Sequence, residues 1–384
     1  MFHYSFNRLR SSVEHRVWSS LYSRRDFRTP CHIVVFESDD WGSIRMPSIQ
    51  VLNELKEKGC SFSEEIGYDK FDTLATEEDL KKLIDALCLV KDNNGNYAKI
   101  TLNCVMSNPD FTKIKADNFQ NYHYELFTDT LAKQPKCKNS FNLWLEGIKL
   151  GVFVPQFHGR EHLNVQLWMR LLQDFDENTR KAFDKGVFSM LLNNNLSIQK
   201  HVLSAYNISQ ENEKQFLVDS IQDGLNIFEK IFGFKSKSMI APCYTWDFDV
   251  ERISNQSGVL FIQGTRVQNH SVLCHSNSSF HYLGERNCLG QTYLIRNCVF
   301  EPSSTKKSNM YSCLSQIENA FNHQNPAIVS VHRQNFIGSL NEQNRENNLI
   351  QFQNLLKNIV NKYPDVIFMS SDELGEFISN NTIS

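Results

Sequence analysis

Residues His32–Gly42 read HIVVFESDDWG. Ile33 to Phe36 form an unbroken apolar run of β-branched and aromatic side chains. Such a run suits a strand buried on both faces, as in a parallel sheet. The character then changes within a few residues, to the adjacent carboxylates Asp39 and Asp40 at the strand's end. Two carboxylates that leave water side by side repel each other, and burial is tolerable when a cation neutralises them. Along a regular strand their side chains point to opposite faces. One can then serve a metal and the other a water or a substrate. The plainer alternative is a solvated turn, because Asp-Trp-Gly-Ser is also turn-like.

Working outward, runs of the same kind recur at Lys99–Met106, Val152–Phe157, Ser238–Ala241, Val259–Gln263, Ala327–His332 and Val366–Met369, with weaker ones at Thr292–Arg296 and Val187–Leu191. Helical periodicity fills the intervals, over Leu80–Val90, Phe141–Leu150, Leu163–Phe175, Gln215–Phe232 and Asn348–Asn361. Alternation of apolar strands with helices predicts an α/β fold on a mainly parallel sheet. Seven to nine strands favour a closed or nearly closed barrel. No GxGxxG or GxxxxGK[ST] occurs, which removes the main support for nucleotide-binding Rossmann and P-loop readings.

In such barrels chemistry gathers where strands end. The strand ends here run into Asp39-Asp40-Trp41, Ser107–Asp110, His158-Gly-Arg-Glu-His162, Pro242–Asp247 and His332–Asn335. His158 and His162 are four apart, a spacing that puts two ligands of one zinc on one face if a helix begins there. With an Asp they offer a His-His-Asp set with room for water, the open coordination of catalytic zinc. His332 ends its strand pattern at the rim, where an imidazole can exchange a proton near neutral pH. Tyr244 and Trp246 can form a stacking wall for a sugar.

The chain has 384 residues with 41% hydrophobic content, enough for a sizeable core. At ~150 residues per domain this length allows two or three domains, yet one α/β barrel can exceed ~200 residues. Forty Lys+Arg stand against 43 Asp+Glu, a formal charge of -3. That balance excludes nucleic-acid binding through bulk charge, and the composition excludes a disordered chain. No apolar run approaches the ~18 residues of a membrane span. The ten cysteines include no CxxC pair. Cys104 and Cys298 sit within apolar runs, so the set reads as reduced core thiols in a cytoplasmic protein. Residues 1–28 carry six arginines, and Phe6, Leu9, Val13, Val17 and Leu21 share helical spacing. This predicts an amphipathic helical extension over 1–29, which packs outside the domain or makes peripheral contact with a membrane surface. The expected division is therefore 1–29, a barrel over 30–376 and a tail over 377–384.

Taken in order, these motifs resemble those of the polysaccharide deacetylases, the NodB homology domain of carbohydrate esterase family four. Glu37-Ser-Asp-Asp-Trp41 stands for the family's T-F-D-D-G, His158–His162 for H-[ST]-x-x-H, Ala241-Pro-Cys-Tyr244 for R-x-P-Y, and Val329-Ser-Val-His332 for the strand ending in L-x-H. The resemblance covers roughly residues 30–375. It implies a distorted (β/α) barrel of about seven strands, with long loop insertions. It implies a divalent metal, zinc above others, on Asp40, His158 and His162, with Asp39 as catalytic base and His332 as general acid. Trp41, Tyr244, Trp246, Arg266 and Arg333 are then candidates for contact with a carbohydrate substrate. The implied reaction removes an acetyl group from an N-acetylated sugar or glycan precursor. The third motif lacks its arginine, which in the family orients the catalytic Asp, and Arg266 or Arg160 is a possible replacement. Two rivals remain at this stage. One is a glycoside hydrolase using a carboxylate pair drawn from Glu37, Asp39, Asp110, Asp247, Glu301 and Asp372. The other is a non-catalytic glycan-binding barrel.

Overall fold

A computed structural model of the chain describes residues 21–62, 67–192, 201–274, 276, 278–305 and 307–382. The extension predicted over 1–29 lies mostly outside them, so its amphipathic helix and membrane contact fall beyond the described residues. Among the described residues no helix is long and apolar enough to cross a membrane.

The chain's core is a nine-stranded sheet in which all strand pairs are parallel. In chain order its strands are β1 (Ile33–Trp41), β2 (Ile100–Cys104), β3 (Phe153–Phe157), β4 (Ser238–Ile240), β5 (Phe261–Gly264), β6 (Thr292–Ile295), β7 (Cys298–Val299), β8 (Ala327–His332) and β9 (Ile367–Met369). Their spatial order is β6-β5-β4-β3-β2-β1-β8-β7, with β9 on the first half of β1. All nine residues of β1 are buried, which accounts for its unbroken apolar start. The expected runs appear as strands except Val187–Leu191, which contributes only isolated bridges from Leu191 to Ser61 and His201. A loop there leaves Val187 and Met190 packed against Leu52 and Leu55.

Helices cover the outer face: α1 (Glu77–Leu87), α2 (Ser140–Lys149), α3 (Lys214–Phe232), α4 (Phe248–Gln256), α5 (Met310–Asn322), α6 (Glu342–Lys362) and α7 (Ser371–Asn381). The Phe36 ring meets Phe352 of α6 edge-on at 5.2 Å. Burying a side chain of this size contributes about 1.5–3 kcal/mol. Helix α7 runs through the position where a tail was expected from residue 377. Its Leu374 and Ile378 are buried, and Gly375 lies so close to Phe261 that a Cβ there would sit 2.4 Å from the ring.

The two ends of the strand order, β6 and β7, are consecutive in sequence. No ladder joins them; the dipeptide Arg296-Asn297 does. The Arg296 N–H donates to the Gly264 carbonyl on β5 (2.9 Å), and the Asn297 N–H donates to the Ile328 carbonyl on β8 (3.1 Å). The barrel is thus distorted, its ring completed by covalent chain. The Asn297 side chain accepts from the Ile328 N–H (2.8 Å) and donates to the Pro326 carbonyl (2.8 Å). The seam is part-buried and Asn297 itself is exposed, so each lost bond counts at the ordinary net value of about 0.5–1.5 kcal/mol. Asn297→Ala is therefore expected to lower unfolding free energy by about 1–3 kcal/mol in denaturant titration, and an unchanged midpoint would exclude this closure role.

Candidate metal and catalytic site

The bulge that ends β1 decides the site. Pairing with β2 shifts register between Ser38 and Trp41, and Asp40 takes a left-handed backbone, φ +74°. This breaks the strand's alternation. Asp39 and Asp40, which a regular strand would point apart, both line one pocket of about 200 Å³. Gly42 follows at φ +85°, where a Cβ would meet the Val105 carbonyl at 2.8 Å.

His158 and His162 reach the same pocket from the loop after β3. They are not on a helix; the following helix starts only at Val165. Gly159 makes the turn at φ +102°, with the Glu161 carbonyl 3.0 Å from where a Cβ would be. This explains glycine where the resemblance expects Ser or Thr. Both histidines place Nε2 near Asp40 Oδ1, at 3.5 Å for His158 and 3.3 Å for His162. The ligand atoms of the three residues all lie within 4.8 Å of one another.

His158 Nδ1 faces the Ile240 carbonyl at 2.9 Å. It must donate there, which leaves Nε2 of the neutral ring with its lone pair toward Asp40. Asp40 Oδ1 and His158 Nε2 are both buried with no hydrogen-bond partner. Two acceptors that face each other without a donor are costly unless a cation lies between them. Burial pushes the His162 imidazole well below its ordinary range, toward the neutral form that a ligand requires. Burial works against the Asp40 carboxyl, but the Arg45 guanidinium, 3.1 Å from Oδ2, holds it well below the carboxylate range. Arg45 occupies one Asp40 oxygen and leaves the other free. The donor set, one carboxylate and two imidazoles, fits a divalent ion such as zinc.

Asp39 lies across the pocket floor, its backbone paired in register with His332 of β8. The Arg296 guanidinium grips it as a fork, Nη1 to Oδ2 and Nη2 to Oδ1, each at 2.7 Å. The same guanidinium donates Nε to Glu37 (2.6 Å) and Nη1 to Tyr244 Oη (3.0 Å). Asn103 adds a donor to Asp39 Oδ1 at 2.8 Å. Burial alone would raise the Asp39 carboxyl, yet the Arg296 charge and hydrogen bonds hold it at about 2. His332 faces Asp39 Oδ2 at 3.7 Å through Nε2 and grips Glu301 at 2.5 Å through Nδ1. Burial would lower its pKa, but Glu301 raises it to about 9. Tyr68, carried in from the segment after β1, lies edge-on to the His332 ring at 5.0 Å and lines the pocket.

The pocket therefore gathers Asp39, Asp40, His158, His162, Tyr244 and His332. Four other expected contacts lie elsewhere. Trp41 is a core residue, its Nε1 donating to Ser38 Oγ (2.8 Å) and its ring edge-on to Trp144. Trp246 is buried with Nε1 on Glu251 (3.0 Å). Arg333 is buried on Asp72 (2.8 Å) and the Ser43 carbonyl. Arg266 holds Asp26 at 2.8 Å. Arg160, the other proposed substitute, pairs with Glu161 (2.7 Å) and Asp223 (3.0 Å). The arginine expected from the third motif is supplied by Arg296, some fifty residues later in the chain. The sequence carries only a weak signal for it, an arginine closing the apolar TYLIR run, and that signal names no partner. Arg45, Tyr68 and Asn103 are the other residues that the sequence reading did not single out, and Glu301, named there only as a candidate hydrolytic carboxylate, here holds His332.

Of the carboxylates considered for a hydrolytic pair, Asp39 alone lines the pocket. Glu37 is sealed beneath it by Arg296 and Ser371. Asp110 caps the helix Phe111–Ala116, Asp247 faces His270, Glu301 holds His332, and Asp372 accepts from Ser370.

No protein-family model and no curated protein matches the chain. Among solved structures it is similar to a family 4 carbohydrate esterase from Streptomyces lividans in complex with acetate, at 10% identity and TM-score 0.39, over 90% of this chain and 96% of the other. It is also similar to a family-four pseudoenzyme from Bacillus anthracis, at 9% identity and TM-score 0.36, over 89% and 66%. A 4-alpha-glucanotransferase from Thermococcus litoralis gives 7% identity and TM-score 0.46, over 92% of this chain but 41% of that enzyme's length.

Replacing Arg296 by Met would leave Glu37 and Asp39 as buried carboxylates without their cation. A loss of about 3–5 kcal/mol in unfolding free energy is expected. Arg296→Lys should recover only part of it, because one ammonium cannot reproduce the fork. Equal stability of the Met variant and the wild type in denaturant titration would show that the pair does not bear on the fold.

Proposed function

We propose that the protein is a metal-dependent hydrolase that removes an acetyl group from an N-acetylated sugar or glycan precursor. The observation that carries this reading is the pair of unpartnered buried acceptors, Asp40 Oδ1 and His158 Nε2, beside His162 and between Asp39 and His332. Asp40, His158 and His162 would hold a divalent ion, zinc by its taste for this donor set. When bound, such an ion polarises an acyl oxygen and lowers the pKa of a water.

The chain's own groups account for the rest. Asp39 stays ionised throughout the physiological range and is the proton acceptor for the attacking water. The Arg296 fork and Asn103 fix its orientation. His332 enters protonated, because Glu301 holds its charge, and gives its Nε2 proton to the leaving amine. Tyr68 keeps its phenol proton, since burial and the nearby Glu301 and Asp40 charges push its pKa well above the ordinary range. It is placed to donate a hydrogen bond to the substrate. The apolar part of the pocket wall, Leu191, Leu203, Ile240 and Ala241, would accept the acetyl methyl. The small pocket suits a single sugar residue better than the middle of a crowded polymer. A nucleotide- or lipid-linked amino sugar in a cytoplasmic setting fits this reading.

Two measurements test it. Elemental analysis of protein purified without chelator or histidine tag should find bound metal, lost from this site in Asp40→Ala and His158→Ala and kept in Asp39→Asn. Acetate release from N-acetylated sugars should fall by at least ~10²-fold in Asp39→Asn, the scale of one acid–base group. Near-normal turnover there would refute the base assignment. The pH profile is the second. With His332 as the acid, activity should decline as pH rises through about 9. Glu301→Gln removes the charge that raises this pKa, so the alkaline limb should move to lower pH, and an unmoved limb would exclude His332 as the acid.

A further inference from the structure

A second cluster of ligand atoms lies outside the pocket and belongs to none of the chemistry above. Asp247, His270 and Cys274 each bring a ligand atom within 4.8 Å of the other two. His270 Nδ1 is 3.0 Å from Asp247 Oδ1, and His270 Nε2 is 2.8 Å from Ser279 Oγ. The Ser271 N–H donates to Asp247 Oδ1 at 3.2 Å, and Ser271 Oγ lies 3.9 Å from Cys274 Sγ. Asp247 is the residue that begins α4, where an aspartate ordinarily caps the first turn. Here its side chain makes no cap bond and turns to the cluster instead. The carboxylate gives up the helix cap and takes the His270 ring and the Ser271 N–H in its place.

We propose that Asp247, His270 and Cys274 form a second divalent-metal site, of the structural zinc type. Thiolate, imidazole and carboxylate are the zinc donor classes, and the set contains the soft sulfur that the first site lacks. The Asp247 carboxylate can only accept, so His270 Nδ1–H donates to it in the free protein; when an ion takes Nδ1, the ring proton sits on Nε2, where the Ser279 hydroxyl can accept it as an outer partner does for a ligating histidine. The side chains of His270 and Asp247 are 16% and 15% exposed, so an ion can enter and keep a water in a fourth position. A metal takes the sulfur as thiolate, so the thiol proton leaves as the sulfur–metal bond forms; no oxidation is involved.

The ion would act on the catalytic pocket through the backbone. It joins the segment after Tyr244 to the segment 269–274, already paired through Trp246 N–H to the Asn269 carbonyl at 3.0 Å. The latter segment holds the chain beyond His201 and Leu203, by Val272 N–H to Asn207 Oδ1 (2.9 Å) and Leu273 N–H to the Ile208 carbonyl (3.2 Å). Tyr244, His201 and Leu203 are pocket walls. Three loops around the pocket are thus tied at one point, distinct from the reacting centre.

The test is titration of chelator-stripped full-length protein with Co²⁺. The expected result is two ions per chain and a thiolate-to-cobalt charge-transfer band in the near ultraviolet, which only a cysteine ligand gives. The band should persist in Asp40→Ala/His158→Ala and vanish in Cys274→Ser and His270→Gln, each falling to one ion. Circular dichroism and retention of the first ion show that those variants are folded. No band in the wild type, or a band that survives Cys274→Ser, overturns the proposal. The two sites fail separately. One ion with a band insensitive to Asp40→Ala would keep this site and remove the first; one ion without a band would do the reverse.

Discussion

The guanidinium of Arg296 lies between the Glu37 and Asp39 carboxylates, and much of this protein hangs on that contact. All three groups are buried, so the charges are worth far more to one another than they would be in water. Neither carboxylate could be carried into the sheet alone. Arg296 also sits in the dipeptide that bridges the two edge strands, its own N–H bonded to β5 and that of its neighbour Asn297 to β8. The residue that closes the ring is therefore also the residue that makes the pocket floor ionic. Closure of the barrel and ionisation of Asp39 are two results of one placement.

Next to this satisfied ion pair lies an unsatisfied one. Asp39 has a donor on each oxygen, whereas Asp40 has Arg45 on one oxygen and two imidazole nitrogens facing the other. The difference between neighbours in sequence comes from the bulge, which turns Asp40 into a left-handed backbone conformation of the kind that clusters at functional sites. Arg45 is itself held against Asp72, which Arg333 grips from the far side. Arg333, just past β8, thus supports the Asp40 side of the pocket through two intermediates and does not itself line it. His332, one residue earlier, faces the pocket directly.

The walls of the pocket come from elements far apart in sequence. Tyr68 is carried by the segment after β1, His201 and Leu203 by the stretch before α3, and Tyr244 by the turn after β4. Insertions between core strands thereby shape the space without altering the sheet beneath. A point that ties the later insertions together, as the Asp247–His270–Cys274 cluster does, fixes the pocket shape without a residue in it.

The α/β class, the parallel sheet, most strands and the grouping of Asp40 with His158 and His162 were legible in the sequence. Each rests on a local signal: unbroken apolar runs mark doubly buried strands, and titratable residues at their ends mark the functional rim. Val187–Leu191 has such a run but no partner strand, so apolar character alone misled. The spacing of His158 and His162 was read as a helix face, whereas a glycine-mediated loop brings them together. The aromatic and basic residues after the motifs were harder still. Trp41, Trp246, Arg266 and Arg333 have the chemistry of sugar contacts, but each satisfies a buried or half-buried partner instead. Which arginine meets Asp39 could not be read locally, because Arg296 lies more than two hundred and fifty residues from it. Sequence determined which groups end the strands; only the closure of the sheet decided which of them meet, since register and ring order bring together residues that no local pattern relates.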